Sequence, residues 1–370
     1  MEQIYFFTPT KIYFERNGIE KYLPLLKNYG KKVLIVSGKN FIYKTGLIEK
    51  IETIFKKENI NYSIFSKVEP EPDIENVEEG VKFCKKEKCD VILAIGGGSA
   101  IDAGKCIAVL ATNPGNLRNY FGEVEYENEP LPIIAIPTTC GTGSEVTRYA
   151  VIIDRKEKTK KTVSSEKIMP KLAILDPNVL DFLPTLLVAA TGMDAFCHAI
   201  ESYLAINSDF ISKFFSIESL KLLKENLKKA VEGDRESKEK VFLASTFAGY
   251  AINKTGTIIV HGIGYSLTIK YKIHHGTSNA LFLPHVLEFL KDNNYRKEIK
   301  ELEKIIKTNS ELKNFITSLG LPIRLKDIGA KKEDIEELVD LSIKGCERAM
   351  KKMKFVLSKD DFLKIINSAF

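Results

Sequence analysis

The feature that most constrains the fold is an alternation of short, apolar, β-branched runs with amphipathic stretches, confined to the first half of the chain. Strands separated by helices of this length pair in parallel through right-handed crossovers. The pattern predicts strands at Lys32–Ser37, Asn61–Val68, Asp90–Ile95 and Leu131–Ile136, and helices at Gly46–Glu58, Ile74–Lys88 and from Ser99. This half is therefore expected to be an α/β unit with a parallel sheet of nucleotide-binding type.

The second half carries only helical patterns. Leucines and a valine recur there at helical spacing, and a glycine ends the helix; the residues are Leu220, Leu223, Leu227 and Val231, followed by Gly233. Ser358 to Asp361 indicates a capped start for the last helix. We predict an α/β dinucleotide-binding domain at 1–182 and an all-helical domain at 183–370, with ligands bound in the cleft between them.

Bulk properties exclude several classes of function. The net charge of +6 comes from 55 basic and 49 acidic residues that are mixed along helix-like runs, so nucleic-acid binding is not expected. The six cysteines are scattered and indicate a reduced, intracellular protein. No signal peptide precedes the first strand, and no run of about 18 apolar residues could span a bilayer. The protein is expected to be soluble and cytoplasmic, without a membrane partner.

The segment Gly96–Lys105 follows a predicted strand and opens a helix. Its three leading glycines lack Cβ atoms, so the backbone can approach a pyrophosphate beside the positive end of the helix dipole. Ser99 and Asp102 stand at N-cap and N3 spacing, and a simple capped helix fits the pattern equally well. The segment is neither GxGxxG nor a Walker loop, since Lys105 lies beyond the first helical turn.

A second polar loop, Pro137–Glu145, also follows a predicted strand. Its hydroxyls and two glycines suit a ribose, a nicotinamide amide or a phosphate, although a simple turn has the same composition. Two such loops at the ends of neighbouring parallel strands favour a ligand, because ligands bind beyond the carboxyl ends of these strands. Cys140 has no histidine nearby in the sequence and is interpreted as a packing residue.

All five histidines lie between positions 198 and 285. Asp194 and His198 are four residues apart, which in a helix puts both side chains on one face, within reach of one ion. His261 follows an apolar run, and His275 lies in a His-His-Gly sequence. Each residue alone is more typical of an ordinary helix position. One carboxylate with three neutral imidazoles favours a catalytic divalent metal that keeps room for a substrate oxygen.

Five motifs spread over nearly the whole chain are together highly specific: GGGSAIDAGK at 96–105, PTTCGTGSEVT at 137–147, LDPNVLDFLP at 175–184, TGMDAFCHAIE at 191–201, and the segment 261–276. With them the chain resembles the iron-containing, or group III, alcohol dehydrogenases, which have the dehydroquinate synthase-like fold. The resemblance implies an α/β N-terminal nucleotide-binding domain with a parallel sheet and an all-α C-terminal metal-binding domain. It also implies a homodimer, with Ile4–Phe7 and Lys11–Phe14 as candidate pairing segments.

The resemblance implies specific site residues. It assigns the metal to Asp194, His198, His261 and His275. Fe²⁺ is expected, and Zn²⁺, Mn²⁺ or Ni²⁺ suit the same ligands. It assigns the coenzyme to Gly97, Gly98, Ser99, Asp102, Thr138, Thr139 and Thr142. Lys160, in the loop expected after Asp154, falls where members often carry a basic coenzyme contact, with Lys158 and Lys161 as neighbouring alternatives.

One departure from the family pattern concerns the coenzyme. Many NAD-dependent members carry an Asp after the first strand, where it accepts from the adenosine 2′-hydroxyl. Here that position is Gly38, followed by Lys39. A carboxylate repels a 2′-phosphate, whereas glycine leaves space and Lys39 supplies positive charge. NADP(H) is therefore expected to be preferred over NAD(H).

A second departure concerns proton transfer. Many members carry a further histidine four residues after the third ligand, and this chain has Tyr265 there. A tyrosine has an ordinary pKa of about 10, so it is a poorer proton shuttle at neutral pH than an imidazole. Tyr265 either bonds the substrate or fills space. His274, beside His275, could take over part of the role or lie at the surface.

The expected activity is reversible hydride transfer between a small alcohol or aldehyde and NADP(H), with the metal acting as a Lewis acid. One rival is a same-fold reductase of polyols or anionic aldehydes, of the glycerol or phosphonoacetaldehyde type, for which Arg148 is a candidate anion contact. Another rival is a non-catalytic nucleotide-binding protein. Intact ligand positions argue against the latter.

Overall fold

The computed structural model describes residues 4–157 and 159–370, which form two compact units. The α/β unit comprises residues 7–139 and 144–183. Its strands are β1 (Lys11–Phe14), β2 (Lys32–Gly38), β3 (Asn61–Val68), β4 (Val91–Gly96), β5 (Gly122–Glu123), β6 (Ile133–Pro137), β7 (Tyr149–Asp154), β8 (Thr159–Ser164) and β9 (Leu172–Leu175). Its helices are α1 (Gly18–Tyr22), α2 (Phe41–Lys44), α3 (Leu47–Glu58), α4 (Ile74–Glu87) and α5 (Gly98–Thr112).

The main sheet has six parallel strands in the order β1-β9-β6-β4-β2-β3. Its central strands β4 and β6 are buried along their whole length, which explains their uninterrupted apolar sequences. The register pairs Gly96 with Pro137, so the two polar loops begin at adjacent strand ends. The predicted parallel α/β fold is confirmed.

A smaller sheet, in the order β5-β8-β7, was absent from the expectations. Strands β7 and β8 form an antiparallel hairpin in which Ile153 pairs with Lys160. The expectation that Lys160 lies in a loop is therefore wrong. The sequence misled because β8 carries two adjacent lysines, Lys160 and Lys161, and a short strand with so few apolar residues gives a weak signal.

The helical unit comprises residues 4–6, 140–143 and 184–370. Its helices are α6 (Thr185–Leu204), α7 (Phe210–Val231), α8 (Arg235–Thr255), α9 (Ile259–Tyr271), α10 (His275–Asp292), α11 (Arg296–Ile306), α12 (Asn309–Ser318), α13 (Ile335–Cys346) and α14 (Lys359–Ser368). Ser358 caps α14 through a capping box with Asp361, as predicted. At Gly276, α10 passes so close to α6 that an added Cβ would lie 2.0 Å from the Ala190 carbonyl oxygen.

Two properties of the described residues agree with the sequence. All six cysteines are free and buried. Across residues 4–157 and 159–370, no helix has both the length and the apolar character that crossing a membrane requires.

Candidate metal centre and coenzyme loops

The expected metal ligands lie on three helices of the helical unit. Asp194 and His198 are one turn apart on α6, and both are buried. His261 is the third residue of α9, and His275 is the first residue of α10. Placement at helix starts fixes the two distant histidines against the long central helix α6.

The structure brings three of these residues into one cluster. Ligand atoms of Asp194, His261 and His275 all lie within 4.8 Å of one another. His261 Nε2 is 3.4 Å from Asp194 Oδ1, and His275 Nε2 is 3.8 Å from the same oxygen. The His198 ring stacks on the His261 ring with centroids 4.4 Å apart, so it borders the cluster.

A backbone carbonyl contacts His198, and an amide side chain contacts Asp194 and His275. His198 Nδ1 donates to the Gly141 carbonyl oxygen at 3.2 Å, which leaves its Nε2 as the nitrogen with a lone pair. Asn279 Nδ2 donates to Asp194 Oδ1 at 2.9 Å and lies 3.1 Å from His275 Nε2. Asn279 is a site residue that the sequence reasoning missed. Its spacing of four residues from His275 on one helix was the available signal.

A second missed residue is Glu201, which is completely buried on α6. One carboxylate oxygen contacts His261 Nδ1, and the other accepts from the Val260 backbone N–H at 2.8 Å. Positions 194, 198 and 201 follow the i, i+4, i+7 pattern of one helix face, so the spacing could have revealed it.

Burial and charge act against each other in the cluster. Burial opposes ionisation of Asp194, but the nearby imidazoles outweigh it and hold the pKa of this carboxyl well below its usual value. Burial lowers the pKa of His198 to about 4. Burial likewise opposes protonation of His261, but the carboxylates of Glu201 and Asp194 outweigh it and raise the pKa of His261 to about 9.

The donor set fits a divalent cation. His261 Nε2 is buried and has no hydrogen-bond partner among residues 4–157 and 159–370, although Asp194 Oδ1 lies opposite it. A buried polar atom without a partner is costly, and a cation held by the carboxylate and imidazole nitrogens removes that cost. Carboxylate and imidazole ligands suit Fe²⁺, Zn²⁺, Mn²⁺ and Ni²⁺ alike.

Tyr265 and His274, the neighbours of the candidate metal ligands, have different contacts. The Tyr265 ring stacks on the His275 ring with centroids 4.9 Å apart and planes 29° apart. His274 Nδ1 accepts from the Gly276 backbone N–H at 3.2 Å, so this side chain caps α10. Its capping bond gives His274 a structural role at the helix start.

In the α/β unit, the glycine-rich segment begins differently from the expectation. The N-cap of α5 is Gly97, and Gly98 is its first residue, so the expectation that Ser99 is the N-cap is wrong. Ser99 Oγ instead accepts from the Glu71 backbone N–H at 3.2 Å. An added Cβ on Gly97 would lie 3.1 Å from the Thr139 side chain, which explains the glycine there.

Asp102 and Lys105 tie this helix to the second loop. Asp102 accepts from Ser144 Oγ at 2.5 Å and from the Val151 N–H at 2.8 Å. Lys105 Nζ is fully buried and donates to Ser144 Oγ at 3.0 Å and to the Thr147 carbonyl oxygen at 2.9 Å. Burial lowers the pKa of Lys105 to about 8. Both side chains therefore form hydrogen bonds with other groups of the protein.

The second loop contributes to both units. The Thr138 N–H donates to the Gly96 carbonyl oxygen at 2.9 Å, which joins the two loops of the α/β unit. Thr142 belongs to the segment 140–143, which packs with the helical unit. Cys140 Sγ lies 3.3 Å from Thr191 Oγ1, and burial raises the pKa of this thiol to about 11. Its burial and its contact with Thr191 support the interpretation of Cys140 as a packing residue.

The candidate basic contacts are engaged in ion pairs. Lys39, next to Gly38 at the end of β2, pairs with Glu69, and both are exposed. Lys160 Nζ lies 2.5 Å from Glu71 Oε2, and its side chain is 4% exposed.

Arg148, the candidate anion contact, is held in the same way. Its guanidinium lies 3.6 Å from Glu123 Oε1 and 4.0 Å from Glu166 Oε1. Arg148 therefore has two acidic neighbours within the protein.

A parallel α/β unit together with a helical unit that carries a carboxylate–imidazole cluster is an arrangement suited to a metal-dependent enzyme. Comparison with family models identifies the class further. The iron-containing alcohol dehydrogenase model matches residues 9–177, and the C-terminal model of the same family matches residues 188–370. The chain belongs to the iron-containing alcohol dehydrogenase family, as its motifs predicted.

Individual relatives support this placement. The chain is 36% identical to an NAD-dependent methanol dehydrogenase of Bacillus methanolicus, over 90% of this chain and 91% of the relative. It is 31% identical to an NADPH-dependent butanol dehydrogenase of Clostridium saccharobutylicum, over 91% and 89%. The crystal structure of an iron-containing alcohol dehydrogenase from Thermotoga maritima matches with a TM-score of 0.90 and 31% identity, over 99% of each chain.

Proposed function

We propose that the protein is an NADP(H)-preferring, metal-dependent alcohol dehydrogenase that also reduces the corresponding small aldehydes. The observation that carries the proposal is the convergence of Asp194, His261 and His275 within 4.8 Å, with the His198 ring stacked beside them. Family membership supplies the reaction class. The relatives named for methanol and butanol favour a short, unbranched primary alcohol as the substrate class.

When bound, a divalent cation supplies Lewis acidity toward the substrate oxygen, and a nicotinamide coenzyme exchanges the hydride. Asp194 contributes the negative charge that offsets part of the cation's charge. His198 presents Nε2, because its Nδ1 donates to the Gly141 carbonyl oxygen. Tyr265 packs against the His275 ring and restricts its rotation. Fe²⁺ is the proposed metal on family grounds.

The coenzyme proposal assigns the dinucleotide to the glycine-rich segment, the second polar loop and the basic residues predicted from the sequence. The proposed contacts are the residues named from the sequence: Gly38, Lys39, Gly97, Gly98, Ser99, Asp102, Thr138, Thr139, Thr142 and Lys160. For Asp102 the proposed role is to position the loops, because Ser144 and Val151 already donate to its carboxylate. NADP(H) preference is supported by Gly38, which removes a repelling carboxylate, and by Lys39. The relatives include one named for NAD and one named for NADPH, so their names do not favour either coenzyme. The proposed preference for NADP(H) therefore depends on the chain's own residues.

For the quaternary structure we propose a homodimer. The proposed substrate is a small molecule. Strand β1 is at an edge of the main sheet, the position from which a strand can pair with a second copy. Gel filtration with light scattering distinguishes a dimer from a monomer of 41.7 kDa.

The decisive experiment is anaerobic reconstitution of the apoprotein with Fe²⁺, Zn²⁺ or Mn²⁺. Oxidation of NADPH and of NADH is then followed at 340 nm with a panel of neutral and anionic aldehydes. We expect metal-dependent turnover of butanal with a higher kcat/KM for NADPH. A higher kcat/KM for an anionic aldehyde would favour the rival reductase. Tight NADPH binding without turnover of any aldehyde would favour a non-catalytic nucleotide-binding protein.

A further inference from the structure

Glu201 is a buried carboxylate whose two oxygens have different partners. Its Oε1 accepts from the backbone N–H of Val260 at 2.8 Å and from that of His261 at 3.4 Å. Its Oε2 contacts His261 Nδ1. The residue has no exposed surface, so each oxygen depends on these protein partners to offset the cost of burial.

Capping explains only half of this arrangement. Helix α9 starts without a side-chain cap from its own N-cap residue, Ile258, so its first N–H groups need an outside acceptor. Glu201 Oε1 supplies that acceptor at the positive end of the helix dipole. The second oxygen is directed to the imidazole, where no helix-capping role exists.

The contact with the imidazole decides which ring nitrogen carries the proton. A neutral imidazole has one N–H donor and one acceptor nitrogen, and an ionised carboxylate only accepts. The proton of neutral His261 therefore resides on Nδ1 and points at Glu201. The lone pair is then on Nε2, the atom that lies 3.4 Å from Asp194 Oδ1.

We propose that Glu201 is a positioning residue of the metal centre, which fixes the rotamer and tautomer of His261 so that Nε2 binds the cation. The inference rests on the proposed metal-dependent function. Carboxylates that bond the outer nitrogen of a metal-binding imidazole typically change metal affinity by about 10- to 100-fold.

The test variant is Glu201→Gln, which keeps the size of the side chain. The Val260 N–H and His261 Nδ1 contact different oxygens of Glu201, and an amide has an acceptor oxygen at only one of these two positions. If the oxygen keeps the cap, the NH₂ group donates to Nδ1 and moves the ring proton to Nε2. We expect the dissociation constant for Co²⁺, titrated into apoprotein without coenzyme and followed by its visible d–d bands, to rise about 10- to 100-fold.

The matched control is Ser202→Ala, the next residue on the same buried helix. It removes the bond from Thr255 Oγ1 at 2.9 Å and leaves the histidines untouched. We expect a lower unfolding temperature with an unchanged Co²⁺ dissociation constant. Equal affinities in wild-type and Glu201→Gln protein, with only a stability loss in the latter, would overturn the inference and leave Glu201 as a helix cap.

A measurement on the unmodified protein covers the case in which the variant does not fold. In wild-type protein labelled with ¹⁵N-histidine and loaded with Zn²⁺, the His261 signal is assigned by its loss in His261→Gln. We expect the Nδ1–H tautomer, and an Nε2–H tautomer would overturn the inference. If wild-type protein bound neither Co²⁺ nor Zn²⁺, the proposed function itself would fail, a result distinct from equal binding by both proteins.

Discussion

At the scale of single residues, His275 joins the helical start of α10 to the cluster around Asp194. His275→Ala removes one ligand nitrogen together with the ring that stacks on Tyr265. We expect metal-dependent kcat to fall by at least about 100-fold, which corresponds to roughly 2.7 kcal/mol, with NADPH binding retained. The measurements are steady-state turnover after metal reconstitution and NADPH fluorescence titration.

His285→Ala is the matched control on the same helix. His285 is buried and bonds the Ile323 carbonyl oxygen and Ser368, away from the cluster. This variant should lose stability and keep its metal affinity. Full metal-dependent activity in His275→Ala would remove His275 from the proposed site.

Substitutions of Tyr265 distinguish a chemical role of its hydroxyl group from a packing role of its ring. Tyr265→Phe keeps the ring that stacks on His275 at 4.9 Å and removes only the oxygen. Because stacking is retained, we expect kcat to change by less than about twofold, whereas Tyr265→Ala frees the His275 ring and lowers kcat further. A large loss of kcat in the Phe variant, across a range of pH, would assign the hydroxyl to the substrate.

Gly38 tests the coenzyme proposal. An added Cβ there meets only the Val68 carbonyl oxygen, at 3.5 Å, so Gly38→Asp introduces charge without a clash. We expect the ratio of kcat/KM for NADPH to that for NADH to fall by at least about tenfold, because the carboxylate repels a 2′-phosphate and accepts from a 2′-hydroxyl. Gly38→Ala adds bulk without charge and should leave the ratio nearly unchanged. An unaltered ratio in the Asp variant would contradict the proposal.

At the scale of elements, Lys105 joins α5 to the loop that precedes β7. Burial lowers the pKa of Lys105 from 10.5 to about 8, so the folded protein releases this proton at a lower pH than the unfolded chain. The unfolded state therefore binds more protons between these values, and the free energy of unfolding gains from this group as pH rises. The gain is complete above 10.5 and is lost as pH falls through about 8.

Lys105→Met isolates this contribution, because it removes the titrating group and keeps the length of the side chain. The difference in the free energy of unfolding between wild type and variant should grow in favour of wild type from pH 8 to pH 10.5. Urea unfolding at a series of pH values measures it. A difference independent of pH would mean that Lys105 keeps its proton throughout.

At the scale of the whole molecule, ligand binding should stabilise the fold by mass action. A cation that binds only the folded helical unit raises the free energy of unfolding by about 2.7 kcal/mol at a hundredfold excess over its dissociation constant. We expect chelation to lower the unfolding temperature of wild-type protein and to have no effect on His275→Ala. Calorimetry with and without chelator measures both, and equal shifts would place the bound cation elsewhere.

The fold was largely predictable because its signals are local. The buried strands β2, β4 and β6 are continuous apolar runs, and the helices of the second half carry clear periodicity and caps such as Ser358. The hairpin β7–β8 was missed, since the half-exposed strand that holds Lys160 has no apolar run of its own.

Along the chain, the residue types, their spacing on α6 and the glycine loops determined the family and the ligand candidates by themselves. Which groups meet was decided only by the tertiary structure, because the contacts join residues far apart in sequence. Glu201 reaches His261 across 60 positions, and Asn279 reaches Asp194 across 85. The same packing gave Asp102 and Lys105 partners inside the protein, since a buried charge must find hydrogen bonds wherever the fold provides them.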